Sequence, residues 1–321
     1  MTFGGTSRLI KAGTALTVAM LCGAVQAHAP TVPGPWQLNL TPGESTWSHV
    51  PYSLNNIALG ICVVLGVLVF GAMFISIIRF RKSRGAVAEK WSHNTTVEVI
   101  WITIPVIILT VLAYLASGGL VSWANTENSQ LTVKVTGYQW KWRYDYVSYL
   151  DKPVANVGFI SKLDQLSDDT RQLGSGLSPW AVKTDGENTY LLNVDKPLVI
   201  PVDTKVRFLI TSGDVIHSWW VPATGWKLDA VPGIINAAWT NITKPGTYRG
   251  QCAELCGQDH GFMPIVVVVK SKPDFAKWLA EQEAAGAKPA TAASTATAGA
   301  AEAPAVPGVA AAVVAGNPPQ H

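Results

Sequence analysis

The chain has 321 residues, of which 48% are hydrophobic and 14% are charged, with a mean hydropathy of +0.23. This composition indicates that part of the chain lies in lipid, and its low charge density argues against a disordered or nucleic-acid-coating protein. The formal net charge of +3 does not arise in residues 121–282, because this segment carries 16 Lys/Arg and 16 Asp/Glu. The surplus Lys and Arg residues lie near the N-terminus and between residues 79 and 90, where they indicate membrane topology.

The first 29 residues are predicted to be a secretory signal peptide. Arg8 and Lys11 precede an apolar run over residues 12–25, and small residues follow at Ala27 and Ala29, so cleavage is expected after one of those alanines. A third membrane anchor is the alternative, but the run has about 14 apolar residues where a bilayer core requires roughly 20. Residues 30–54 would then form a periplasmic N-terminal segment.

Two apolar stretches, charged only at Glu98, predict a transmembrane helical hairpin over residues 55–120. They cover residues 57–78 and 97–120, and each is long enough for one bilayer-spanning helix. The connecting loop, residues 79–96, is rich in Lys and Arg, and short loops of this kind stay in the cytoplasm. Its basic residues are Arg79, Arg81, Lys82, Arg84 and Lys90. The chain beyond residue 121 is therefore expected in the periplasm.

Glu98 lies at the cytoplasmic end of the second predicted helix, and its position allows two interpretations. A carboxylate at a helix N-terminus is stabilised by the helix dipole, which would make Glu98 an ordinary capping residue. Ionisable groups at membrane depth are costly and usually serve transport, which would instead make it a point where protons enter. Position alone favours the capping role.

Residues 121–282 predict a β-sandwich or barrel, because short strand-like runs alternate with turn signals and no long helical pattern appears. The runs cover residues 131–140, 205–210, 236–241, 247–251 and 264–269. Residues 151–186 are polar and weakly patterned, which predicts a surface insertion. From Lys277 onward the composition drifts to Ala, Pro, Thr and Gly, so residues 283–321 are predicted to form a disordered tail.

Two thiols, an imidazole and a thioether lie close together near the end of this domain, at Cys252, Cys256, His260 and Met263. A further imidazole, His217, is available upstream. Soft thiolate and thioether ligands beside imidazole suit copper better than they suit hard cations. A mononuclear blue-copper site needs one thiolate, whereas two thiolates and two imidazoles can hold a pair of copper ions with bridging sulfurs.

Two other uses of the same residues remain open. A Cys252–Cys256 disulfide would suit an oxidising periplasm, but it would leave His217, His260 and Met263 without a role. Two Cys and two His also fit tetrahedral zinc, although zinc would not use the thioether. The spacing therefore favours copper over both alternatives.

From about residue 53 to residue 279 the sequence resembles subunit II of haem–copper cytochrome c oxidases. The resemblance rests on the apolar hairpin, the His-Ser-Trp segment at His217 and the Cys-x-Glu-x-Cys-x-x-x-His-x-x-Met loop from Cys252. It implies a mixed membrane/all-β fold class: a two-helix N-terminal transmembrane hairpin followed by a cupredoxin-like β-sandwich. It also implies a dinuclear CuA centre and a magnesium ion shared with subunit I. The implied CuA ligands are His217, Cys252, Cys256, His260, Met263 and the backbone carbonyl of Glu254, whose side chain would help bind the magnesium.

The resemblance implies roles for two more residues. Trp140, in the aromatic run after Tyr138, would receive electrons from a c-type cytochrome, although an aromatic strand packing a core is the simpler use of that run. The family's usual pattern has His at position 138 and Tyr at 141, so Tyr138 and Lys141 depart from it. Glu98, within Val-Glu-Val-Ile-Trp, would lie at the mouth of the K proton pathway of subunit I.

The function implied by the resemblance is that of the subunit at which electrons enter an aerobic terminal oxidase. Electrons would pass from cytochrome c through Trp140 and CuA to haem in subunit I, which also holds CuB and reduces oxygen to water with proton pumping. The expected partners are subunit I, subunit III, the cytochrome and the lipid bilayer of a bacterial inner membrane, with no nucleic acid. The chain alone would relay electrons, and without a Cys-x-x-Cys-His motif it is expected to carry no haem.

Two other functions are alternatives to this one. The quinol-oxidase form of the subunit shares the hairpin and the sandwich, but the full set of thiolate, imidazole and thioether ligands speaks against it. A membrane-tethered copper carrier would offer an exposed, labile site and would not require a paired hairpin.

Overall fold

The computed structural model describes residues 37–88, 90–184 and 187–286. The predicted signal peptide and the part of the predicted tail beyond residue 286 lie outside the described residues. Within them, two long helices precede a sandwich of two β-sheets, and a shorter helix follows it. This architecture agrees with the predicted fold class of an apolar helical hairpin followed by a cupredoxin-like sandwich.

The two long helices are α1, His49–Arg79, and α2, Thr95–Ala124. Both are long and apolar enough to cross a membrane, and their large apolar side chains are exposed. Each extends beyond its predicted apolar stretch because helix geometry continues into flanking polar residues that an apolar count omits. Asn94 caps α2, since its side chain accepts hydrogen bonds from the backbone N–H groups of Thr96 and Val97.

The start of α1 and the end of α2 pack against the sandwich through tryptophan side chains. The rings of Trp47 and Trp123 lie 6.3 Å apart, and Trp239 Nε1 donates a hydrogen bond to the carbonyl of Ser122 at 3.2 Å. The ammonium of Lys205 lies 4.7 Å from the centre of the Trp239 ring, a cation–π distance. These contacts attach the hairpin to the sheet that contains Trp239.

The first sheet has the strand order β11-β8-β1-β2-β3, with β4 paired to β2, and β1 pairs with β8 in parallel. Its strands are β1 Leu131–Tyr138, β2 Lys141–Tyr149, β3 Lys152–Pro153, β4 Gly158–Ser161, β8 Val206–Ser212 and β11 Asn236–Thr240. A short helix, α3, spans Gln165–Thr170, and a small hairpin joins β5, Lys183–Thr184, to β6, Glu187–Asn188.

The second sheet has the order β10-β9-β12-β13-β7, and it carries the strands nearest the predicted metal ligands. Its strands are β7 Leu198–Pro201, β9 His217–Val221, β10 Trp226–Ala230, β12 Gly246–Cys252 and β13 Pro264–Lys270. The inner faces of the two sheets bury a core that includes Trp142, Phe208 and Trp219. Phe208 and Trp219 stack with ring centres 5.1 Å apart, which joins the sheets close to β9.

Three sequence expectations need correction. The predicted run over residues 131–140 ends at Tyr138, and β2 follows after a tight turn as a separate strand. The predicted surface insertion, 151–186, contributes β4 to the first sheet and buries Val157 and Val182, because its few apolar residues are spaced too widely to show a pattern.

The third correction concerns the chain after Lys277, where the composition predicts loss of structure. Helix α4 instead spans Lys272–Gly286, so its last four residues fall in the segment predicted to be disordered. Phe275 and Leu279 are buried four residues apart on one helix face, and Phe275 packs against Tyr149. Averaging over the alanine-rich tail conceals this short amphipathic helix.

Candidate metal centre

The predicted ligands converge at one end of the second sheet because of strand order. His217 begins β9 and Cys252 ends β12, and these strands are neighbours that pair Cys252 with Trp219. The connection from β12 to β13 carries Cys256 and His260 and ends at Met263. Residues 252–263, named here the metal loop, therefore fold back beside the first residue of β9.

Cys252 has one imidazole nitrogen and one carbonyl oxygen close to its sulfur. Its Sγ lies 3.9 Å from His217 Nδ1 and 3.4 Å from the backbone carbonyl oxygen of Glu254. The two sulfurs, Cys252 Sγ and Cys256 Sγ, lie 3.9 Å apart. The ligand atoms of His217, Cys252 and Cys256 all lie within 4.8 Å of one another, a group that can hold a metal ion.

Cys256 has a matching but different pair of neighbours. Its Sγ lies 3.5 Å from His260 Nδ1 and 3.5 Å from Met263 Sδ. Each thiol is therefore accompanied by one imidazole nitrogen and one weaker donor, a carbonyl oxygen for Cys252 and a thioether for Cys256. The donors form two similar half-sets that share the pair of sulfurs.

The centre is buried apart from the partly exposed His260, and both of its cysteines are free thiols. His217 is fully buried, and Cys252, Cys256 and Met263 are each at most 7% exposed. Because the sulfurs are not bonded, the arrangement argues against the disulfide alternative. A buried pocket of thiols, imidazoles and a thioether favours a soft metal ion over a hard, hydrated cation.

Comparison with known proteins identifies the family. Residues 131–270 match the family described as cytochrome c oxidase subunit II, periplasmic domain, and residues 33–117 match its transmembrane domain. A probable cytochrome c oxidase subunit 2 of Rickettsia prowazekii is 42% identical over 245 residues, covering 76% of this chain and 72% of the relative. The chain belongs to the cytochrome c oxidase subunit II family.

A eukaryotic relative agrees with this placement. Cytochrome c oxidase subunit 2 of Candida albicans is 34% identical over 253 residues, covering 78% of this chain and 90% of the relative. A solved structure, the periplasmic domain of subunit II of cytochrome oxidase of Bradyrhizobium japonicum, is 34% identical, with a TM-score of 0.41 over 51% of this chain and 100% of that one. Like its family, the chain is a membrane protein with a periplasmic domain.

Within this subunit II chain, Asp214 holds the far side of the His217 ring. Its Oδ1 lies 2.9 Å from His217 Nε2, and its carboxylate also accepts hydrogen bonds from the backbone N–H groups of Gln139 and Val215, both at 2.7 Å. Partial burial opposes ionisation, but these hydrogen bonds lower the pKa of Asp214 below its ordinary value. The carboxylate thus keeps Nδ1 directed at Cys252.

Two residues of the first sheet confine the same imidazole. A Cβ on Gly137 would lie 2.8 Å from His217 Cδ2, so a residue with a side chain would collide with the ring. The ring of Trp142 meets the imidazole edge-on at 5.8 Å, and its Nε1 donates a hydrogen bond to the carbonyl of Met263 at 3.3 Å. Trp142 thereby touches both ends of the centre.

The thiols and the imidazole influence one another's protonation. Burial raises the pKa of the Cys256 thiol to about 12, and the neighbouring Cys252 contributes to that rise. Burial opposes ionisation of Cys252 and of His217, but their mutual hydrogen bond lowers the pKa of Cys252 and raises the pKa of His217. Without metal, both shifts favour the charged forms of Cys252 and His217, whereas Cys256 stays protonated at neutral pH.

The structure places Trp140 against the metal loop. A Cβ on Gly257 would lie 3.2 Å from Trp140 Cζ2, so the glycine allows the indole to approach the residue next to Cys256. The preceding residue, Gln139, donates a hydrogen bond from Nε2 to the carbonyl of Cys256 at 2.9 Å. The Trp140 side chain is partly exposed, so it connects the surface with the loop.

Of the two glutamates with predicted roles, Glu98 lies far from this pocket, whereas Glu254 lies in the metal loop. Glu98 is in the first turn of α2, and its Oε1 accepts a hydrogen bond from the backbone N–H of Asn94 at 3.3 Å, which is a capping contact. The remainder of α2, residues 99–124, separates it from the sandwich by about 39 Å, taking 1.5 Å per residue. The backbone of Glu254 faces Cys252, whereas the residue as a whole is exposed.

Four residues around the candidate ligands were not predicted in that role from the sequence: Gly137, Trp142, Asp214 and Arg171, whose Nη1 lies 3.5 Å from Asp259 Oδ1 in the metal loop. Asp214 carries a usable signal, because an acidic residue three positions before a candidate ligand histidine is well placed to orient it. Gly137 and Trp142 come from the other sheet, and Arg171 comes from the weakly patterned region. Their proximity to the centre depends on tertiary structure that sequence spacing does not encode.

Proposed function

We propose that the chain is the subunit at which electrons enter a membrane-bound, proton-pumping oxidase. It would accept electrons from a c-type cytochrome at a dinuclear copper centre and pass them to haem in subunit I. The observation that carries this proposal is the pair of buried sulfurs 3.9 Å apart, each with its own imidazole and its own weaker donor. A single ion would leave one half-set unused.

The donor set fits copper better than zinc. Thiolate, thioether and imidazole together are the ligands of copper electron-transfer sites, in which a thioether or a backbone carbonyl serves as a weak ligand. Met263 Sδ and the Glu254 carbonyl oxygen occupy those two positions, one in each half-set. A tetrahedral zinc site would use two cysteines and two histidines and would leave both weak donors without a role.

When bound, such a copper pair supplies reversible one-electron chemistry. The chain's own residues keep the ligands still. Asp214 fixes the His217 ring, Gly137 and Trp142 confine it, and the adjoining strands β12 and β13 hold both ends of the metal loop. Burial keeps bulk water from the sulfurs. Rigid ligands allow an electron to arrive and leave without rearrangement of the site, which suits an electron relay better than a copper carrier.

The remaining roles belong to residues outside the pocket. We assign Trp140 as the residue that receives electrons, supported by its position between the surface and Gly257. The exposed Glu254 side chain would bind a magnesium ion shared with subunit I, and Glu98 would pass protons to the K pathway of that subunit. These roles fit the domain limits proposed above. Residues 79–96 would then lie in the cytoplasm of a bacterium, and subunits I and III would lie beside the hairpin in the inner membrane.

Electron paramagnetic resonance of the copper-loaded full chain tests the proposal. A delocalised copper pair should give a mixed-valence signal split equally by two copper nuclei, at a stoichiometry of two coppers per chain. Zinc-loaded protein provides a silent control for adventitious copper. A signal from one copper nucleus alone, or failure to retain copper after removal of loosely bound metal, would contradict the dinuclear centre.

Copper loading should depend steeply on pH. Copper requires both thiolates and neutral imidazoles, so binding releases a proton from Cys256 and another from the Cys252–His217 pair. Each released proton makes apparent affinity rise about tenfold per pH unit while the group stays protonated in the empty site. We expect competition with a copper chelator between pH 6 and pH 8 to show this rise, and Cys256→Ser to reduce its slope by one proton. A flat pH profile would refute the protonation states described above.

A further inference from the structure

Arg171 lies in the region between β4 and β7, outside the family's ligand motif, yet it contacts the metal loop twice. Its Nη1 lies 3.5 Å from Asp259 Oδ1, which forms an ion pair. Its guanidinium carbon lies 4.5 Å from the centre of the Phe262 ring, which is a cation–π contact. The guanidinium therefore spans from one residue of the loop to another three positions later.

The two contacted residues, Asp259 and Phe262, lie next in sequence to two candidate ligands. His260 follows Asp259 directly, and Met263 follows Phe262 directly. The segment His260–Phe262 is a single helical turn, held by a hydrogen bond from the Phe262 N–H to the Asp259 carbonyl at 2.9 Å. A single turn has few internal hydrogen bonds, so contacts from outside determine how firmly it is held. Arg171 supplies such contacts at both of its ends.

Arg171 is itself fixed in place. Its Nε donates a hydrogen bond to Asp168 Oδ1 at 2.6 Å, and its backbone N–H continues α3 by donating to the Ser167 carbonyl at 3.0 Å. The Ser167 side chain is fully buried and accepts a hydrogen bond from the Leu191 N–H at 3.2 Å.

The segment around Leu191 is also tied to a ligand strand. Asn193 Oδ1 accepts a hydrogen bond from Arg249 Nη1 at 2.7 Å, and Arg249 lies in β12, the strand that ends at Cys252. The short helix α3 is therefore connected to the same strand from which the metal loop departs. It can act as a brace between β12 and the His260 turn.

We propose that Arg171 is a positioning residue that braces the His260 turn, holding His260 and Met263 against Cys256. The brace rests on the proposed function, since it acts on the half-set of ligands that would hold one of the two copper ions. It gives the region between β4 and β7 a role in maintaining the metal centre. Its loss should loosen that half-set while leaving the Cys252 half-set, with His217, as it is.

The test uses the full chain in its copper-loaded form. In Arg171→Ala, copper loss to an excess of a copper(I) chelator such as bathocuproine disulfonate should accelerate about three- to tenfold, the scale of one ion pair plus one cation–π contact. The paramagnetic resonance signal should also lose the equal splitting by two copper nuclei, because the two ligand half-sets become unequal. This second readout does not depend on oxidase activity and would not change if Arg171 served only general stability.

Arg143→Ala is the matched control. Arg143 also forms a partly exposed ion pair, with Asp145 at 2.8 Å, but both residues lie on β2. This variant should match the wild type in copper loss and in spectrum. Arg171→Lys should fall between wild type and Arg171→Ala, because an ammonium keeps the charge near Asp259 but loses the planar stack on Phe262. If Arg171→Ala fails to accumulate, Arg171→Gln tests the same loss of charge and stacking.

A double variant tests whether Arg171 acts through its ion pair with Asp259. In an Asp259→Asn background, Arg171→Ala should have a smaller effect than in the wild type, because half of the contact is already missing. Wild-type rates and spectrum in Arg171→Ala, or equal losses in Arg143→Ala, would overturn the brace while leaving the dinuclear centre intact. A wild-type chain that holds no copper pair would instead overturn the proposed function, and the brace with it.

Discussion

Replacing Cys252 by serine should abolish the signal of a delocalised copper pair and slow electron transfer from cytochrome c by more than about a hundredfold. Substitution of groups that only orient metal ligands already costs about 10–100-fold in affinity or activity, and Cys252 is a proposed ligand to both ions. Serine offers a harder oxygen that bridges copper poorly. Cys256, His260 and Met263 would remain as a set for one ion, so the protein should keep at most a single copper.

Metal analysis and paramagnetic resonance of the copper-loaded Cys252→Ser chain provide the measurement. Cys62 supplies the matched control, because it is a free cysteine exposed on α1, far along the chain from the loop. Cys62→Ser should keep the copper content and the spectrum of the wild type. A Cys252→Ser protein that retained a pair of coppers and an equally split signal would show that Cys252 does not bridge them.

The sequence could predict most of the candidate ligand set because the candidate ligands are local. Cys252, Cys256, His260 and Met263 lie within a single loop, and their spacing alone brings four donors together. His217 was predictable as a ligand by its residue type, although its closeness to Cys252 depends on β9 and β12 being neighbours. The structure adds that the donors divide into two half-sets.

The surroundings of the ligands could not be predicted in the same way. Gly137 has no side chain to suggest a role, and its importance appears only when the His217 ring is found against its Cα. Trp142 looks like any core aromatic until its ring is seen beside His217. Such contacts join residues 75 and 80 positions apart, and their specificity comes from packing across two sheets rather than from a local pattern.

In the fold, too, some elements could be predicted from local sequence patterns and others could not. The membrane hairpin and the sandwich class follow from long apolar runs and short alternating ones, and the described residues and the family matches confirm both. Helix α4 was missed because only Phe275, Trp278 and Leu279 form its apolar face, next to an alanine-rich segment. Strand β4 was missed because its pairing with β2 stabilises a segment of weak intrinsic pattern.

Trp140→Ala should slow the oxidation of cytochrome c by about a hundredfold, the scale on which misplaced groups at reaction centres lose rate. The copper spectrum should stay close to that of the wild type, because Trp140 contacts Gly257 of the metal loop and no ligand atom is removed. The effect should appear in kcat/KM for the cytochrome. Electron delivery from a small soluble reductant, which reaches the centre without docking at Trp140, should change far less.

Trp180→Ala is the control, since Trp180 is a 78% exposed tryptophan between β4 and β7 that lacks the contact of Trp140 with Gly257. It should leave both rates unchanged.

A Trp140→Phe variant separates two ways in which the indole could act. If the ring serves mainly to fill the space above Gly257, phenylalanine should restore most of the rate; if the indole itself carries the electron, phenylalanine should be nearly as slow as alanine. A wild-type rate in Trp140→Ala would mean that electrons reach the metal loop by another surface, and the adjacent Tyr138 and Lys141 would then be the first positions to test.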